Sequence, residues 1–174
     1  MAADHTNDEA LGEFVGAAVG RAIRTLAQGG TLAPFGVSRK KGLLGESEDN
    51  KSFVESKVVG KIDLSESAQA ALQWMEDEVP RAESCLIVFD GVLNSDEGRV
   101  DAVIGRVASL GRHLMVEVAQ PYREGESRFS IAEAKYRFMG IAGDDQVETA
   151  TKVDATVFDT AYQRAFRATI SISA

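Results

Sequence analysis

Apolar side chains recur at three- and four-residue spacing along residues 7–28, and this period predicts a first helix. The stripe comprises Leu11, Phe14, Val15, Ala18, Val19, Ala22, Ile23 and Leu26. Thr6 and Glu9 have capping-box spacing at its start, and Gly29-Gly30 supply a stop signal at its end. We expect residues 1–6 to be a mobile N-terminal tail, because they are polar and precede the helix.

The helical period returns over Leu64–Glu78 and predicts a second helix. Asp63 can cap its start, and Pro80 follows its end. Its apolar stripe comprises Leu64, Ala68, Ala71, Leu72, Met75 and Val79, with Trp74 at the edge.

Elsewhere the pattern is that of strands. Ser84–Phe89 is a continuous apolar run, typical of a central strand that is buried on both faces. Further strands are predicted over Leu32–Val37, Ser52–Val59, Val100–Ser109, His113–Gln120 and part of Ile131–Ile141. Arg39–Gly42 and 94–98 are predicted turns, and 121–126 is a predicted loop. Short connections between successive strands favour antiparallel pairing.

The C-terminal extension, residues 143–174, allows two interpretations. A broad apolar stripe over Asp154–Arg167 predicts a helix, whereas β-branched residues within 149–172 favour a strand. We predict the helix and keep the strand as the alternative. The fold class is then α+β: one domain over residues 1–174, with a mixed or mainly antiparallel sheet, two helices packed on one face and a C-terminal helix.

Composition adds limits on function. The 174 residues suit one domain, and 19 Lys+Arg against 27 Asp+Glu give a net charge of −8. Such acidity argues against wide contact with nucleic acid. The polar N-terminus lacks a signal-peptide pattern, and no apolar run approaches the roughly 20 residues that span a bilayer. With Cys85 as its one cysteine, the chain is expected to be cytoplasmic, without membrane contact.

The acidic residues are concentrated in one part of the chain. Residues 63–98 hold nine acids against the single base Arg81. Glu76, Asp77 and Glu78 are consecutive at the end of the second predicted helix. This block is either a solvated helix face or a docking surface for a basic partner or a second subunit.

Three glycines recur every four residues inside the first predicted helix: Gly12, Gly16 and Gly20. Each interior glycine costs a helix about 0.5–1 kcal/mol relative to alanine, so the column indicates close approach of another element. Packing onto the protein's own sheet is the first interpretation, and a subunit interface is the second. Glu13 and Arg21 exclude a helix buried in lipid.

Common catalytic motifs are missing: the sequence has no P-loop, dinucleotide fingerprint, Gly-x-Ser-x-Gly, His-Glu-x-x-His or Cys-x-x-Cys. His113 and Glu117 share one face of a predicted strand and could act together, although a solvent-facing strand surface is the alternative. Asp90 follows the central strand and is either a working carboxylate or part of a turn. Tyr122 and Arg123 could bind an anion. No metal or cofactor site is predicted.

Four short stretches resemble a loose group of small bacterial α+β proteins to which no activity is attached. They are Leu32–Val37, Cys85–Gly91, Arg99–Val103 and Val118–Arg123, and the resemblance spans roughly residues 8–140. The order of elements is also similar to that of the small αβ dimerisation domains of the roadblock and longin type. That similarity is one of fold, which does not fix function.

Two functional hypotheses follow. The first is a non-enzymatic cytoplasmic binding or oligomerisation module that acts as a homo-oligomer or with a protein partner. It rests on the glycine column and the acidic block. The alternative is a small enzyme or ligand-binding protein that uses the strand face of His113 and Glu117, with Asp90, Tyr122 and Arg123 nearby.

Overall fold

A computed structural model describes residues 5–42, 45–52, 57–58, 61–62, 64–78, 83–96, 98–109, 114–125, 128–140 and 153–171. Its helices are α1 (His5–Ala27), α2 (Leu64–Glu78) and α3 (Ala155–Ser171). Its strands are β1 (Phe35–Gly42), β2 (Gly45–Ser52), β3 (Lys57–Val58), β4 (Lys61–Ile62), β5 (Ser84–Ser95), β6 (Gly98–Ser109), β7 (Leu114–Glu124), β8 (Phe129–Ile131) and β9 (Lys135–Gly140).

Seven of these strands form one antiparallel sheet in the order β2-β1-β5-β6-β7-β8, and β9 also pairs with β7. β3 and β4 form a separate two-stranded ladder. The centre of the sheet is the long hairpin of β5 and β6, which pairs from Ser84↔Ser109 to Ser95↔Gly98. The predicted single α+β domain with an antiparallel sheet is therefore confirmed.

The two predicted helices lie on opposite faces of the sheet, so their placement on one face is wrong. Leu86 and Val88 belong to the buried cluster that contains the α1 stripe. Cys85 and Ile87, the alternate residues of the same strand, belong to the cluster of α2. Because successive strand residues point to opposite faces, α1 and α2 cover different sides.

The C-terminal segment is a helix, as predicted, and it packs beside α1. Phe158, Tyr162 and Phe166 are buried in the α1 cluster. The rings of Phe158 and Tyr162 also meet the ring of Tyr136 on β9 edge to face, at 5.4 and 5.5 Å between centroids. The layers are thus α2, the sheet, and α1 with α3, and the extension completes the main core.

The glycine column is the contact surface between α1 and α3. A Cβ atom on Gly12 would lie 2.5 Å from the carbonyl oxygen of Phe158, and one on Gly16 would lie 2.5 Å from that of Tyr162. A Cβ on Gly20 would lie 2.8 Å from Thr169 Cβ. The column therefore faces neither the sheet nor a second subunit, because α3 of the same chain covers it.

Polar contacts align the N-terminal ends of α1 and α3. The buried Asp8 accepts a hydrogen bond from the Asp154 backbone N–H, with 3.0 Å between Oδ2 and N. Arg164 forms ion pairs with Glu9 and Glu13, one turn apart on α1. Contacts thus advance together along both helices, so α1 and α3 run in the same direction.

The predicted end of α1 agrees with the structure, whereas its predicted start does not. The Gly29-Gly30 stop is confirmed: Gly29 adopts φ 80°, its N–H donates to Leu26, and the Gly30 N–H donates to Thr25. At the other end, α1 already includes His5 and Thr6, so those two residues do not belong to a tail. Residues 1–4 lie outside the described part.

Backbone pairing, not apolar pattern, defines the first hairpin. Arg39–Gly42, the predicted turn, is the second half of β1, and the polar stretch Glu46–Asn50 lies within β2. The ladder runs without a break from Phe35↔Ser52 to Gly42↔Gly45. Similarly, β7 continues through Pro121–Glu124, where the sequence predicts a loop.

We predict that Gly16→Ala destabilises the fold. An alanine inside a helix normally stabilises it by about 0.5–1 kcal/mol, but here the added methyl meets backbone of α3 and should lower the free energy of unfolding by about 1–3 kcal/mol. Urea denaturation measures the change, and Ala10→Ser on the exposed side of α1 is the control. A more stable Gly16→Ala variant, or one with altered solution mass, would contradict packing within the chain.

Candidate functional site

A cleft forms where α2 stops covering its face of the sheet. β5 has 12 residues and extends about 40 Å, whereas α2 has 15 residues and is about 22 Å long. In the described part of the chain, the α2 cluster reaches no further along β5 than Phe89. Beyond Phe89, the same face of the sheet carries the side chains of Leu93, Val100 and Pro121. Their positions on this face follow from the alternation of side chains along each strand and from the pairing register of β5, β6 and β7.

The cleft has a volume of about 790 Å³, within the range of ligand-binding pockets. It is lined by Leu93, Asn94, Asp96, Val100, Pro121, Tyr122, Arg123, Ser130, Ile131, Ala132, Glu133 and Lys135. The base is apolar sheet surface, and the wall is the segment from β8 to the start of β9. Ile131 on this wall is 43% exposed.

Gln120 fixes that wall. Its buried side-chain amide donates to the Ala132 carbonyl, with 2.6 Å between Nε2 and O. The Tyr162 hydroxyl of α3 donates to Gln120 Oε1 at 3.0 Å, and the Ala132 N–H donates to the Pro121 carbonyl at 3.1 Å. The wall is therefore connected through one amide to the sheet and to α3.

Sequence reasoning missed Gln120. It lies within the run Val116, Val118 and Gln120, which point to the same face of β7, and it is the polar member of that series. A buried amide requires hydrogen-bond partners, so an amide at an apolar position was the available signal. The sequence did not show which groups would supply the partners, because Ala132 and Tyr162 are distant along the chain.

Charges of both signs surround the apolar base. Arg123 and Lys135 contribute cations, Asp96 and Glu133 contribute carboxylates, and all four residues are exposed. Among the described residues of the lining there is neither histidine nor cysteine. The arrangement can hold an apolar group between charged flanks.

Glu117, a candidate acid–base residue, is occupied by ion pairs on the α2 face. Its carboxylate accepts from Arg106 Nη2 at 2.5 Å and Nε at 3.2 Å, and Arg137 Nη2 lies 3.7 Å away. The three residues face one another across β6, β7 and β9. His113, its proposed partner, lies outside the described residues.

The structure brings together two other candidates, Asp90 and Tyr122. The Tyr122 hydroxyl donates to Asp90 Oδ1 at 2.8 Å, on the face of the sheet that carries α1. Partial burial raises the pKa of Asp90 above its usual value, with Asp101 and Glu124 adding to the rise and the hydrogen bond from Tyr122 opposing it. Burial and the Asp90 carboxylate also raise the pKa of Tyr122.

Tyr122 and Arg123 both border the cleft, but their side chains point to opposite faces of β7. Tyr122 donates to a carboxylate and stacks on Phe129, with ring centroids 5.4 Å apart. Arg123 is the next residue of the same strand, so its side chain points to the opposite face, where it lines the cleft.

The acidic block is not a single surface among the described residues. Glu83 and Asp96 lie at opposite ends of β5, about 40 Å apart by strand length. Glu76 and Asp77 are exposed near the end of α2, and the Glu78 side chain lies outside the described part. Any docking role of the block would therefore involve its segments separately.

Comparisons with known proteins add no family or relative. No family model, no curated protein and no solved structure matches the chain. Among the residues that the structure describes, no group of three histidine, cysteine or acidic side chains is placed to hold a metal ion. None of the described helices combines the length and apolar character needed to cross a membrane.

Asp90 should make stability fall as pH rises. Because its pKa is higher in the folded than in the unfolded chain, the folded state holds the proton longer and loses relative stability as pH increases from about 3.8 through the folded pKa. Asp90→Asn should remove this contribution, and Tyr122→Phe should raise the pKa of Asp90 further. Urea titrations across pH and carboxyl NMR measure both effects. An Asp90 that titrates at or below its usual pKa would contradict the burial argument.

Proposed function

We propose that this protein is a non-enzymatic binding module that recognises a segment of a protein partner in the cleft. The observation that carries the proposal is the cleft itself: about 790 Å³ of space over an apolar base, bounded by the exposed Ile131 and by charges of both signs. Apolar contact supplies binding energy, and the flanking charges select and orient the bound segment.

The candidate catalytic groups already form ion pairs or hydrogen bonds with other side chains, which favours a binding function over catalysis. Glu117 is held between two arginines, and Asp90 accepts from Tyr122 on the far side of the sheet from the cleft base. The thiol of Cys85 is buried in the α2 cluster. A general base has to reach a substrate proton, and neither Glu117 nor Asp90 lines the cleft.

The cleft chemistry indicates what the bound segment contains. An apolar side chain fits against Leu93, Val100 and Pro121. An acidic flank fits Arg123 and Lys135, and a basic flank fits Asp96 and Glu133. A second copy of the chain can supply such a segment as well as a different protein, and we retain both within the proposal. The single cysteine, present as a buried thiol, supports a cytoplasmic setting.

A matched pair of variants on one strand tests the proposal. Leu93→Asp places a charge on the cleft base, while the 41%-exposed Val92 is its neighbour on the opposite face, so Val92→Asp is the control. Light scattering over a range of concentrations first determines whether the wild type self-associates. If it stays monomeric, peptide display against the wild type, with counter-selection on Leu93→Asp, isolates ligands.

We expect Leu93→Asp to weaken self-association or peptide binding about 10- to 100-fold, which corresponds to the loss of one buried leucine. Val92→Asp should leave binding unchanged. The proposal fails if no self-association occurs and no selected peptide distinguishes the wild type from Leu93→Asp. Equal effects of both variants would also contradict the cleft as the binding site.

A further inference from the structure

β2 is an edge strand at the end of the sheet that lies farthest from the cleft wall. Within the part of the chain that the structure describes, β2 pairs with β1 on one side and with no strand on the other. The strand order places β8, which belongs to the cleft wall, at the opposite end of the sheet. An open strand edge presents a row of N–H and C=O groups that can pair with a further strand. The proposed function above makes no use of this edge.

The backbone groups of every second residue on β2 point away from β1. The Arg39 carbonyl oxygen accepts a hydrogen bond from the Glu83 N–H at 2.9 Å, so the backbone groups of Arg39 point towards β5 and not towards β2. Glu48 is the register partner of Arg39, and in an antiparallel ladder both members of such a pair point away from each other. Glu48 therefore directs its N–H and C=O to the open edge. Because the period of a strand is two, Asn50 and Ser52 do the same.

A second copy of β2 fits this edge as an antiparallel neighbour. A two-fold axis perpendicular to the sheet would relate the two copies, and two-fold dimers are the most common oligomers. Such an axis keeps every residue on its own face of the sheet, so residues at even positions oppose even positions and residues at odd positions oppose odd ones. The axis therefore passes through one residue of β2, which opposes itself in the other copy.

The charges of β2 select the residue on the axis, because like charges directly opposite each other destabilise a strand pair. Most positions of the axis bring like charges together; these are Glu46, Ser47, Glu48, Asp49 and Lys51. An axis through either end of the strand leaves most of β2 unpaired. An axis through Asn50 places Asp49 of each copy opposite Lys51 of the other and Glu48 opposite Ser52. This register has two pairs of opposite charge and none of like charge.

From the open edge and this one favourable register, we propose that β2 pairs with β2 of a second copy of the chain, about a two-fold axis at Asn50. The two sheets then form one continuous sheet, in which Glu48, Asn50 and Ser52 exchange backbone hydrogen bonds with the second copy. The two clefts lie at the far ends of the joined sheet. The dimer therefore presents two open clefts, and it would bind a partner that carries two recognised segments more tightly than a monomer does.

Amide exchange in the wild type tests the pairing directly. One strand pair is a small interface, so we expect a weak dimer that analytical ultracentrifugation detects between micromolar and millimolar concentrations. As the concentration rises, the amide protons of Glu48, Asn50 and Ser52 should become protected from exchange, because they acquire partners. The amide protons of Asp49 and Lys51 point towards β1 and should change little. NMR measures this alternation residue by residue.

Two charge reversals test the register. Asp49→Lys and Lys51→Asp should each weaken self-association about tenfold or more, because both pairs of opposite charge become pairs of like charge. An equimolar mixture of the two variants should associate again, since one chain then carries bases at both positions and the other carries acids. The register partners of the two positions on β1 are uncharged, so the first hairpin is expected to persist. Asp77→Lys on α2 and Arg167→Asp on α3 make the same changes of charge at exposed positions and are the matched controls.

A wild type that stays monomeric at millimolar concentration, or a dimer without the alternating protection on β2, would overturn the proposal. The exchange pattern needs no variant, so it is decisive even if a variant fails to fold. Folded variants that do not associate when mixed would overturn the register at Asn50. Leu93→Asp should leave this dimer intact; if it abolishes self-association while the β2 variants do not, the contact lies in the cleft and not at β2. Loss of peptide binding in a Leu93→Asp dimer therefore tests the cleft separately.

Discussion

Close contact between two parallel helices is the constraint on which the rest of this structure depends. Three glycines on α1 let the backbone of α3 approach to a distance at which a single methyl group would collide with the carbonyl oxygens of Phe158 and Tyr162. That approach sets the position of the Tyr162 side chain, which donates to Gln120. Gln120 in turn donates to Ala132 and holds the wall of the cleft. The close packing of α1 against α3 thus helps to fix the position of the cleft wall.

The cleft exists because the β5–β6 hairpin is longer than α2, the helix that covers this face. The β5–β6 hairpin is about 40 Å long, and a helix of 15 residues cannot cover it. On the near half, Cys85, Ile87 and Ala108 are buried under α2. On the far half, the same face presents Leu93, Val100 and Pro121 to the cleft. One sheet face therefore provides both core and candidate binding surface.

Two tyrosine–aspartate pairs connect separate elements of the fold. Tyr122 on β7 donates to Asp90 on β5 at 2.8 Å, and Tyr136 on β9 donates to Asp159 on α3 at 2.5 Å. Burial and the partner carboxylate raise the pKa of each tyrosine. Because each hydroxyl is committed to a carboxylate, these tyrosines hold elements together, whereas the charged groups around the cleft remain exposed to solvent.

The amino-acid sequence by itself determined the elements whose signals are local. The α2 boundaries, the Gly29-Gly30 stop, the central strand at Ser84 and the C-terminal helix follow from periodicity and turn chemistry, because those signals act within a few residues. The pairing of β1 with β2 did not follow, since backbone hydrogen bonds form there without an apolar pattern.

Only the tertiary structure decided how these elements meet. An apolar stripe shows that one side of a helix is buried, but it does not show which element buries it. The sequence therefore did not determine that α1 and α2 lie on opposite faces of the sheet. Nor did it determine that α3 packs on the glycine column. The same holds for the candidate site. Gln120, Ala132 and Tyr162 converge from distant parts of the chain. Sites of this kind depend on long-range packing, which local sequence patterns do not encode.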